Sequence, residues 1–334
     1  MVQEPNGVLI VHKHAGVTSH HIVGVVRRLY HTRRVGHAGT LDPMATGVLV
    51  VLIGRAAKAS EYLSHDAKHY RAILRLGLTT DTEDTTGTVL TISENIPTSE
   101  EVQAILPRFR GEILQVPPMY SALKVDGQKL VDLARRGEVI EREARKIEIF
   151  SLEATPTDDA NEYILDVHCS GGTYIRTLCA DIGAALGCGG AMAALERGEA
   201  CGFDLSMAHT VEELEEMSDE ERQSLLIPTE KLFSDLPQIR LSAFFEKLSR
   251  SGCEIYLKKL GLHFPLGTRV AMCDANGAFF ALGEVGEFRD GVAVKAIKMF
   301  VLELKNNYKF IDIKYSVCYN ETGKSKFTYS GEIS

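Results

Sequence analysis

The 334-residue sequence lacks the segments that carry proteins into or across membranes. No apolar run approaches the roughly 20 residues that a transmembrane helix needs, so we expect no membrane span. The N-terminal stretch MVQEPNGVLIVHK has no basic segment followed by a long apolar core, so we expect no signal peptide. Together these absences predict a cytoplasmic protein.

Cysteine patterns typical of disulfide frameworks and zinc sites are also missing. The seven cysteines are an odd number, and no CxxC pair or Cys/His ligand spacing occurs. Reduced thiols in a cytosolic protein fit this pattern better than disulfides. The sequence has no GxxxxGK[ST] phosphate-binding loop either. We therefore expect neither a bound metal nor a cofactor.

Charge is unevenly distributed along a chain whose net charge of −8 argues, by itself, against a nucleic-acid partner. Residues 1–60 carry seven lysines and arginines against two acids, whereas residues 209–221 carry seven acids and no lysine or arginine. A basic face can bind phosphates whatever the net charge of the chain. A solvated helix end is the simpler interpretation of the stretch RRLYHTRR, and composition alone leaves both interpretations open.

Predicted strands and helices are mixed without the regular alternation of a parallel βαβ sheet. The apolar run GVLVVLIG (47–54) predicts a strand that is covered on both faces. We therefore predict an α+β fold with a mixed, largely antiparallel central sheet and flanking helices. Hairpin and strand patterns beyond a break near residue 237 predict a small, mostly β module. The predicted domains are 1–237 and 238–303, followed by a C-terminal tail, 304–334, whose structure the sequence does not indicate.

Asp42 is the one acid in the segment VGHAGTLDPMATGVLVVLIG (35–54). An aspartate before a proline is most often a turn residue that bonds nearby backbone N–H groups. Here glycines flank the turn and allow close approach of another molecule, and a buried strand follows directly. A carboxylate on a loop that feeds a buried strand is held rigidly and remains exposed, as a nucleophile or general base requires.

The segment around Asp42 resembles the signature of TruB-type tRNA pseudouridine synthases, in which an essential aspartate occupies this position. Further blocks resemble the same family, in family order across about residues 5–210, although His14 replaces a usual proline and Gly198 a usual threonine or leucine. These blocks are HKHAGVTSHHIVGVVRRLY, KHYRAILRLGLTTDTEDTTG, VPPMYSALKVDGQKLVDLARRG and CSGGTYIRTLCADIG. The module at 238–303 is similar, more weakly, to the PUA domain of many members.

The resemblance implies the pseudouridine synthase fold and isomerisation of a uridine, usually U55 in the T-loop of tRNA, without cofactor or metal. The uridine is everted from its stack, at a cost of about a few kcal/mol. By resemblance Asp42 is the nucleophile, Tyr70 stacks on the uracil and Arg176 fixes the carboxylate. Whether the aspartate attacks C1′, adds to the base or takes a proton from the sugar stays open.

Further binding residues follow from the same motifs. Tyr174 and Leu195 match positions that line the uracil pocket, and His37 matches a histidine that holds the flipped nucleotide. Without the motifs, each would be interpreted as a core or loop residue. Phosphate-contact candidates are the cations Lys13, Arg33, Arg34 and Lys124. The acidic segment 209–221 is expected to face away from the bound RNA.

Other functions remain to be weighed against a tRNA pseudouridine synthase. A non-catalytic RNA-binding or tRNA-folding protein is the main alternative. An unrelated hydrolase with an aspartate nucleophile, or the catalytic subunit of a guide-RNA-dependent complex, is a further one. Pure binding needs no carboxylate facing an anionic ligand, so Asp42, Tyr70, Tyr174 and Arg176 together favour the enzyme. We expect the T-arm of tRNA as partner, no membrane, no obligate protein partner and a monomer.

Overall fold

The computed structural model describes residues 4–63, 66–121, 123–125 and 127–301, together with the backbone of two short strands at 318–319 and 325–326. The strands are β1 (Gly7–Lys13), β2 (Val35–Ala38), β3 (Thr46–Ile53), β4 (Lys68–Leu76), β5 (Leu78–Thr80), β6 (Val89–Ile92), β7 (Gly111–Gln115), β8 (Lys124–Val125), β9 (Gln128–Lys129), β10 (Arg145–Pro156), β11 (Glu162–Cys169), β12 (Gly190–Ala200), β13 (Phe203–Asp204), β14 (Gln238–Arg240), β15 (Ile255–Tyr256), β16 (Arg269–Cys273), β17 (Phe279–Phe288), β18 (Gly291–Met299), β19 (Cys318–Tyr319) and β20 (Ser325–Lys326). The helices are α1 (Ser19–Leu29), α2 (Ser99–Ile105), α3 (Leu130–Arg135), α4 (Ile175–Ala185), α5 (Val211–Glu216), α6 (Asp219–Ser224), α7 (Ala243–Arg250) and α8 (Leu257–Leu260). Apart from β19 and β20, the predicted tail lies outside the described residues.

A nine-stranded sheet organises the first part of the chain. Its main path runs β1-β3-β12-β4-β11-β10-β7, with β2 beside β3 and β13 beside β12. Every pairing is antiparallel except a short parallel contact in which Thr46 and Gly47 of β3 face Glu196 and Arg197 of β12. The predicted α+β class with a largely antiparallel sheet is therefore confirmed.

Strand β3 is buried along nearly its whole length, as its continuous apolar run predicts. Leu49 and Val51 face a core that also contains Ile22 and Val26 of α1. Val48 and other side chains of the opposite face enter a second core that reaches the C-terminal sheet. The alternation of strand side chains thus places helices on one side of β3 and the C-terminal module on the other.

The C-terminal module contains a five-stranded sheet in the order β14-β16-β17-β18-β15. It is the mostly β unit that the sequence predicts for this region. Phe279 and Phe300 pack against Phe233, which lies N-terminal to the module. The two sheets therefore share apolar side chains rather than being joined only by a linker. The exact boundary at residue 237 stays a prediction.

A short 3-10 helix, Gly54–Ala59, follows β3 directly. The acidic segment 209–221 contacts basic residues at the end of α1. Glu215 pairs with Arg28, and Asp219 lies 3.6 Å from His31, because α5 packs against α1. That the acidic segment faces away from the bound RNA stays a prediction.

In the described ranges, every helix is too short or too polar to cross a membrane.

Candidate active site

The loop that carries Asp42 joins β2 to β3 and is held from two sides. A turn closes it, with the N–H of Ala45 donating to the carbonyl of Asp42 at 3.0 Å. The proline at position 43 has the fixed φ that suits the second residue of such a turn. Ser19, the first residue of α1, accepts a hydrogen bond from the N–H of Leu41 at 2.8 Å and donates to the carbonyl of Leu41 at 3.1 Å. The start of α1 therefore fixes the residue before Asp42.

Lys13 also holds this loop, through hydrogen bonds to its backbone. Its side chain is fully buried, and its ammonium group donates to the carbonyls of His14, Pro43 and Ala45. Burial lowers the pKa of Lys13 to about 8, although the nearby Asp42 carboxylate opposes that shift. A buried ammonium with three carbonyl partners is not available to RNA phosphates, so the phosphate contact expected for Lys13 is replaced by a role in holding the loop.

Asp42 and Arg176 form a bidentate ion pair. The Nε of Arg176 lies 2.9 Å from Oδ2 of Asp42, and its Nη2 donates to Oδ1 at 3.3 Å. The arginine side chain is 5% exposed and the aspartate side chain 34%. The guanidinium is thus buried behind the carboxylate, while the carboxylate itself opens to solvent. This geometry sets the orientation of both oxygens.

Arg176 is itself fixed by further partners. Its Nη1 donates to the carbonyl of Thr82 at 2.9 Å, and its Nη2 donates to the carbonyl of Tyr120 at 2.7 Å. The buried carboxylate of Asp84 lies 3.8 Å from Nη1. The next residue of α4, Thr177, donates to Glu83 at 2.6 Å. The start of α4 is therefore tied to the loop between β5 and β6.

Tyr70 and Leu195 lie on adjacent antiparallel strands on the face that contains the core of α1 and α4. Tyr70 on β4 is paired with Arg197 on β12, and Ala72 is paired with Leu195. Tyr70 is 7% exposed and Leu195 is 8% exposed. Burial raises the pKa of the Tyr70 phenol, and the Arg197 guanidinium opposes this rise. Tyr70 therefore keeps its proton at neutral pH.

Tyr174 precedes α4 and is clamped through its backbone. The buried side-chain amide of Gln115 accepts from the N–H of Tyr174 at 2.8 Å and donates to its carbonyl at 3.0 Å. Burial raises the pKa of the Tyr174 phenol. The strand β7, at whose end Gln115 lies, thus positions the residue two places before Arg176.

The remaining predicted residues lie in less buried positions. His37 is half-buried on β2, and burial, with help from Arg197 and His20, lowers its pKa, so its imidazole is neutral at pH 7. Arg33 and Lys124 are exposed. Arg34 is exposed and lies 3.2 Å from Glu4. The structure therefore brings Asp42, Arg176 and Lys13 into one contact network, whereas Arg33, Arg34 and Lys124 remain surface cations.

Four structural residues of the site were missed in the sequence analysis: Ser19, Asp84, Gln115 and Arg197. Arg197 had a detectable signal, because it follows the predicted pocket residue Leu195 by two positions, and residues two apart on a strand share a face. Ser19 begins a helix, and nothing in the neighbouring sequence indicates that its hydroxyl would bind Leu41. The pairing of Gln115 with Tyr174 depends on long-range strand order, which the sequence pattern does not contain.

Within the described ranges, no three His, Cys, Asp or Glu side chains are arranged to hold a metal ion.

Known protein families match most of the chain, including the segments that carry Asp42 and Arg176. The family model described as TruB family pseudouridylate synthase (N terminal domain) matches residues 27–175, and the model described as tRNA pseudouridylate synthase B C-terminal domain matches residues 176–234. The chain is 43% identical to tRNA pseudouridine synthase B of Syntrophotalea carbinolica over 78% of this chain and 81% of that protein. It is 42% identical to the protein of the same name from Alkaliphilus oremlandii over 80% of this chain and 89% of that protein.

The chain belongs to the TruB family. As a TruB-family member it is a pseudouridine synthase, and its relatives give no support to the non-catalytic alternative. Among solved structures it is similar to an H/ACA RNP bound to a substrate RNA containing 2′-deoxyuridine, with a TM-score of 0.66, 21% identity, and coverage of 89% of this chain and 86% of that chain. At that identity the similarity concerns the fold alone, and it confirms the expected pseudouridine synthase fold of this TruB-family chain.

Proposed function

We propose that this TruB-family enzyme isomerises a uridine in the T-loop of tRNA, at position 55, by everting the nucleotide and acting on it with Asp42. The observation that carries the proposal is the bidentate pair between the buried Arg176 and the one-third exposed Asp42. A carboxylate in this setting is oriented by the protein and open to a ligand. Those are the two properties that a group acting at a glycosidic bond needs.

The reaction itself balances without an external reagent. The bond between C1′ and N1 of the uridine breaks, and a bond between C1′ and C5 forms. N1 gains a proton and C5 loses one, so no electrons are transferred to or from a cofactor. The protein must therefore hold the detached uracil while it turns, keep water out and present the carboxylate at the ribose and base.

The surroundings of Asp42 suit an uncharged, flat ligand. In the proposal Leu195 is the apolar wall of the uracil pocket. Tyr70 and Tyr174 keep their protons because burial raises their pKa values. Stacking of a base on an aromatic ring is worth about 1–3 kcal/mol. Stacking of the uracil on Tyr70 is part of the proposal, and it requires the ring, 7% exposed here, to be uncovered further by the bound RNA.

RNA phosphates are proposed to contact exposed cations outside the pocket. Arg33, Arg34 and Lys124 are the candidates, because their side chains are exposed. Arg34 would have to exchange its contact with Glu4 for the phosphate. Each neutralised phosphate releases counterions, so affinity for RNA should fall steeply with salt. We further propose that the protein acts on tRNA in the cytoplasm and needs no obligate protein partner.

The test uses the purified protein alone and an unmodified T-arm stem-loop with tritium at C5 of its uridines. Because isomerisation replaces the hydrogen at C5, product formation releases tritium to water. Mapping the isomerised nucleotide should identify a single site that corresponds to position 55. A stem-loop with cytidine at that position, and tritium still at C5 of its other uridines, serves as the control and should release no tritium. Release from every uridine, or none from the wild-type protein, would refute the proposed substrate.

A further inference from the structure

We propose that Arg197 is a positioning residue of this reaction, whose buried guanidinium ties both ends of the Asp42 loop to the strand that carries Tyr70. The inference rests on the proposed function, since it assigns a role in catalysis by Asp42. Arg197 itself touches neither carboxylate oxygen of Asp42, whose arginine partner is Arg176. It would act through the loop and the strand.

The hydrogen bonds of Arg197 bracket the Asp42 loop. Its side chain is fully buried. Its Nη2 donates to the carbonyl of Gly39 at 3.0 Å, and its Nε donates to the carbonyl of Val48 at 2.8 Å. Gly39 precedes Asp42 by three residues, and Val48 follows it by six. One rigid planar group therefore fixes the separation of the two ends of the segment that carries the carboxylate.

The backbone of Arg197 lies at the junction of three strands. It is paired with Tyr70 on β4 and with Gly47 on β3, in the short parallel contact between β3 and β12. Gly47 has φ +101°, and a Cβ at that position would lie 2.3 Å from the carbonyl oxygen of Arg197. Only glycine permits this approach. Backbone pairing therefore connects both the end of the Asp42 loop and the strand of Tyr70 to Arg197.

The charge of Arg197 is costly if its role is only to fill the core. Among the ion pairs of described residues none includes Arg197, and its buried Nη1 has no hydrogen-bond partner there. Replacing a buried charge by an apolar side chain of similar size is often neutral or stabilising. Burial is the main cause of the lowered pKa values of Lys13, His37 and Lys68, and the guanidinium lowers all three further, while it opposes the rise that burial causes at Tyr70. A charge whose two hydrogen bonds bracket the Asp42 loop, and which also acts on the predicted site residues Lys13, His37 and Tyr70, points to a catalytic requirement.

Arg222 provides a matched control. Like Arg197, it donates to two backbone carbonyls, those of Leu214 and Met217, and it has one buried nitrogen without a hydrogen-bond partner among the described residues. Unlike Arg197, it also pairs with Asp219. It lies on α6, and its side chain holds residues of α5 and α6 rather than the Asp42 loop. Substitution of either arginine by methionine removes a guanidinium that holds backbone. Only substitution of Arg197 should disturb the geometry of Asp42 and Tyr70.

The test compares Arg197→Met, Arg197→Lys and Arg222→Met in single-turnover tritium release with saturating enzyme, together with RNA affinity and urea unfolding. For Arg197→Met we expect the rate to fall at least about 30-fold with RNA affinity within about threefold, because misplacement of a catalytic group by about 1 Å can cost 10²-fold. Arg197→Lys keeps the charge but reaches one carbonyl at a time, so its rate should lie between those of the wild-type enzyme and Arg197→Met. Arg222→Met should keep the wild-type rate.

The outcomes separate this inference from the proposed function. If the wild-type enzyme releases no tritium, the proposed function fails and the variants are not needed. If the wild-type enzyme is active and Arg197→Met loses rate only in proportion to its unfolded fraction, as Arg222→Met would, the positioning role is overturned. If Arg197→Met does not fold, Arg197→Lys decides. A wild-type rate for folded Arg197→Lys then overturns the inference, and a reduced rate at unchanged affinity supports it.

Discussion

Substitution of Arg176 by lysine tests how the protein holds its carboxylate. Arg176 donates to four oxygens in fixed directions: both carboxylate oxygens of Asp42, at 2.9 and 3.3 Å, and the carbonyls of Thr82 and Tyr120, at 2.9 and 2.7 Å. A lysine has three donors on one nitrogen and cannot reach oxygens on opposite sides of a planar fork. At least two of these bonds are lost, and the remaining ones no longer set the plane of the carboxylate.

The magnitude follows from burial. Hydrogen bonds to charged groups contribute about 1.5–3 kcal/mol each. Because the Asp42 side chain is 34% exposed, water replaces part of what it loses. We therefore expect the free energy of unfolding to fall by about 2–4 kcal/mol. A displacement of the carboxylate by about 1 Å predicts a rate roughly 10²-fold lower. Affinity for RNA should change by less than about threefold, because Arg176 is 5% exposed and its donors are engaged.

The assay is single-turnover tritium release at saturating enzyme, with RNA affinity measured by filter binding and stability by urea unfolding. Arg75→Lys is the control, because Arg75 lies on the same sheet and pairs with Glu162 at 2.9 Å, five residues along β4 from Tyr70. It should be active. A wild-type rate for folded Arg176→Lys would refute the positioning of Asp42 by Arg176. An equal loss of rate in Arg75→Lys would show that general destabilisation, rather than the position of Asp42, causes the effect.

Two further predictions concern the Asp42 loop. Gly47→Ala should lower the free energy of unfolding by about 3–5 kcal/mol, because φ is +101° and the added Cβ would lie 2.3 Å from a carbonyl oxygen. The control Gly202→Ala, at φ +73° with nothing within 4 Å of the added Cβ, should lower it by only about 1–2 kcal/mol. Equal losses of stability in urea unfolding would disprove the close approach at Gly47. The Lys13 ammonium loses its proton as pH rises through about 8, so the wild-type rate at pH 9 should be about tenfold below that at pH 7, while Lys13→Met, although slower, should lack this alkaline decrease. A parallel decrease in both proteins would assign the titration to another group.

The sequence contained enough to predict the main elements of the site. The apolar run after Asp42 predicts a strand with both faces covered, and β3 has that burial. The motif positions predict that Asp42 and Arg176 meet, although 134 residues separate them, and they form a bidentate pair. These predictions succeed because local pattern and long motifs both constrain them. The roles of Tyr70, Tyr174 and Leu195 toward uracil stay predictions.

What the sequence did not reveal depends on contacts between distant segments. Lys13 looked like a surface cation, since nothing in its own strand indicates that the Asp42 loop covers it. The spacing of Arg197 from Leu195 indicates its face of the strand, but the carbonyls that it meets belong to the distant residues Gly39 and Val48, which no local pattern indicates. The contact of Glu215 with Arg28 depends on the packing of α5 against α1, and charge counts along the chain cannot predict which helices become neighbours.

Asp42 is the group that is proposed to act on the everted uridine, and every other proposed role in the site serves it. The most direct measurement is single-turnover isomerisation of the T-arm stem-loop by Asp42→Asn, with Glu162→Gln, which alters the ion pair of Arg75, as the matched control. The account predicts no detectable pseudouridine from Asp42→Asn, RNA affinity within about tenfold of wild type, equivalent to about 1.4 kcal/mol, and a normal rate for Glu162→Gln. Formation of pseudouridine by Asp42→Asn at the wild-type rate would contradict it.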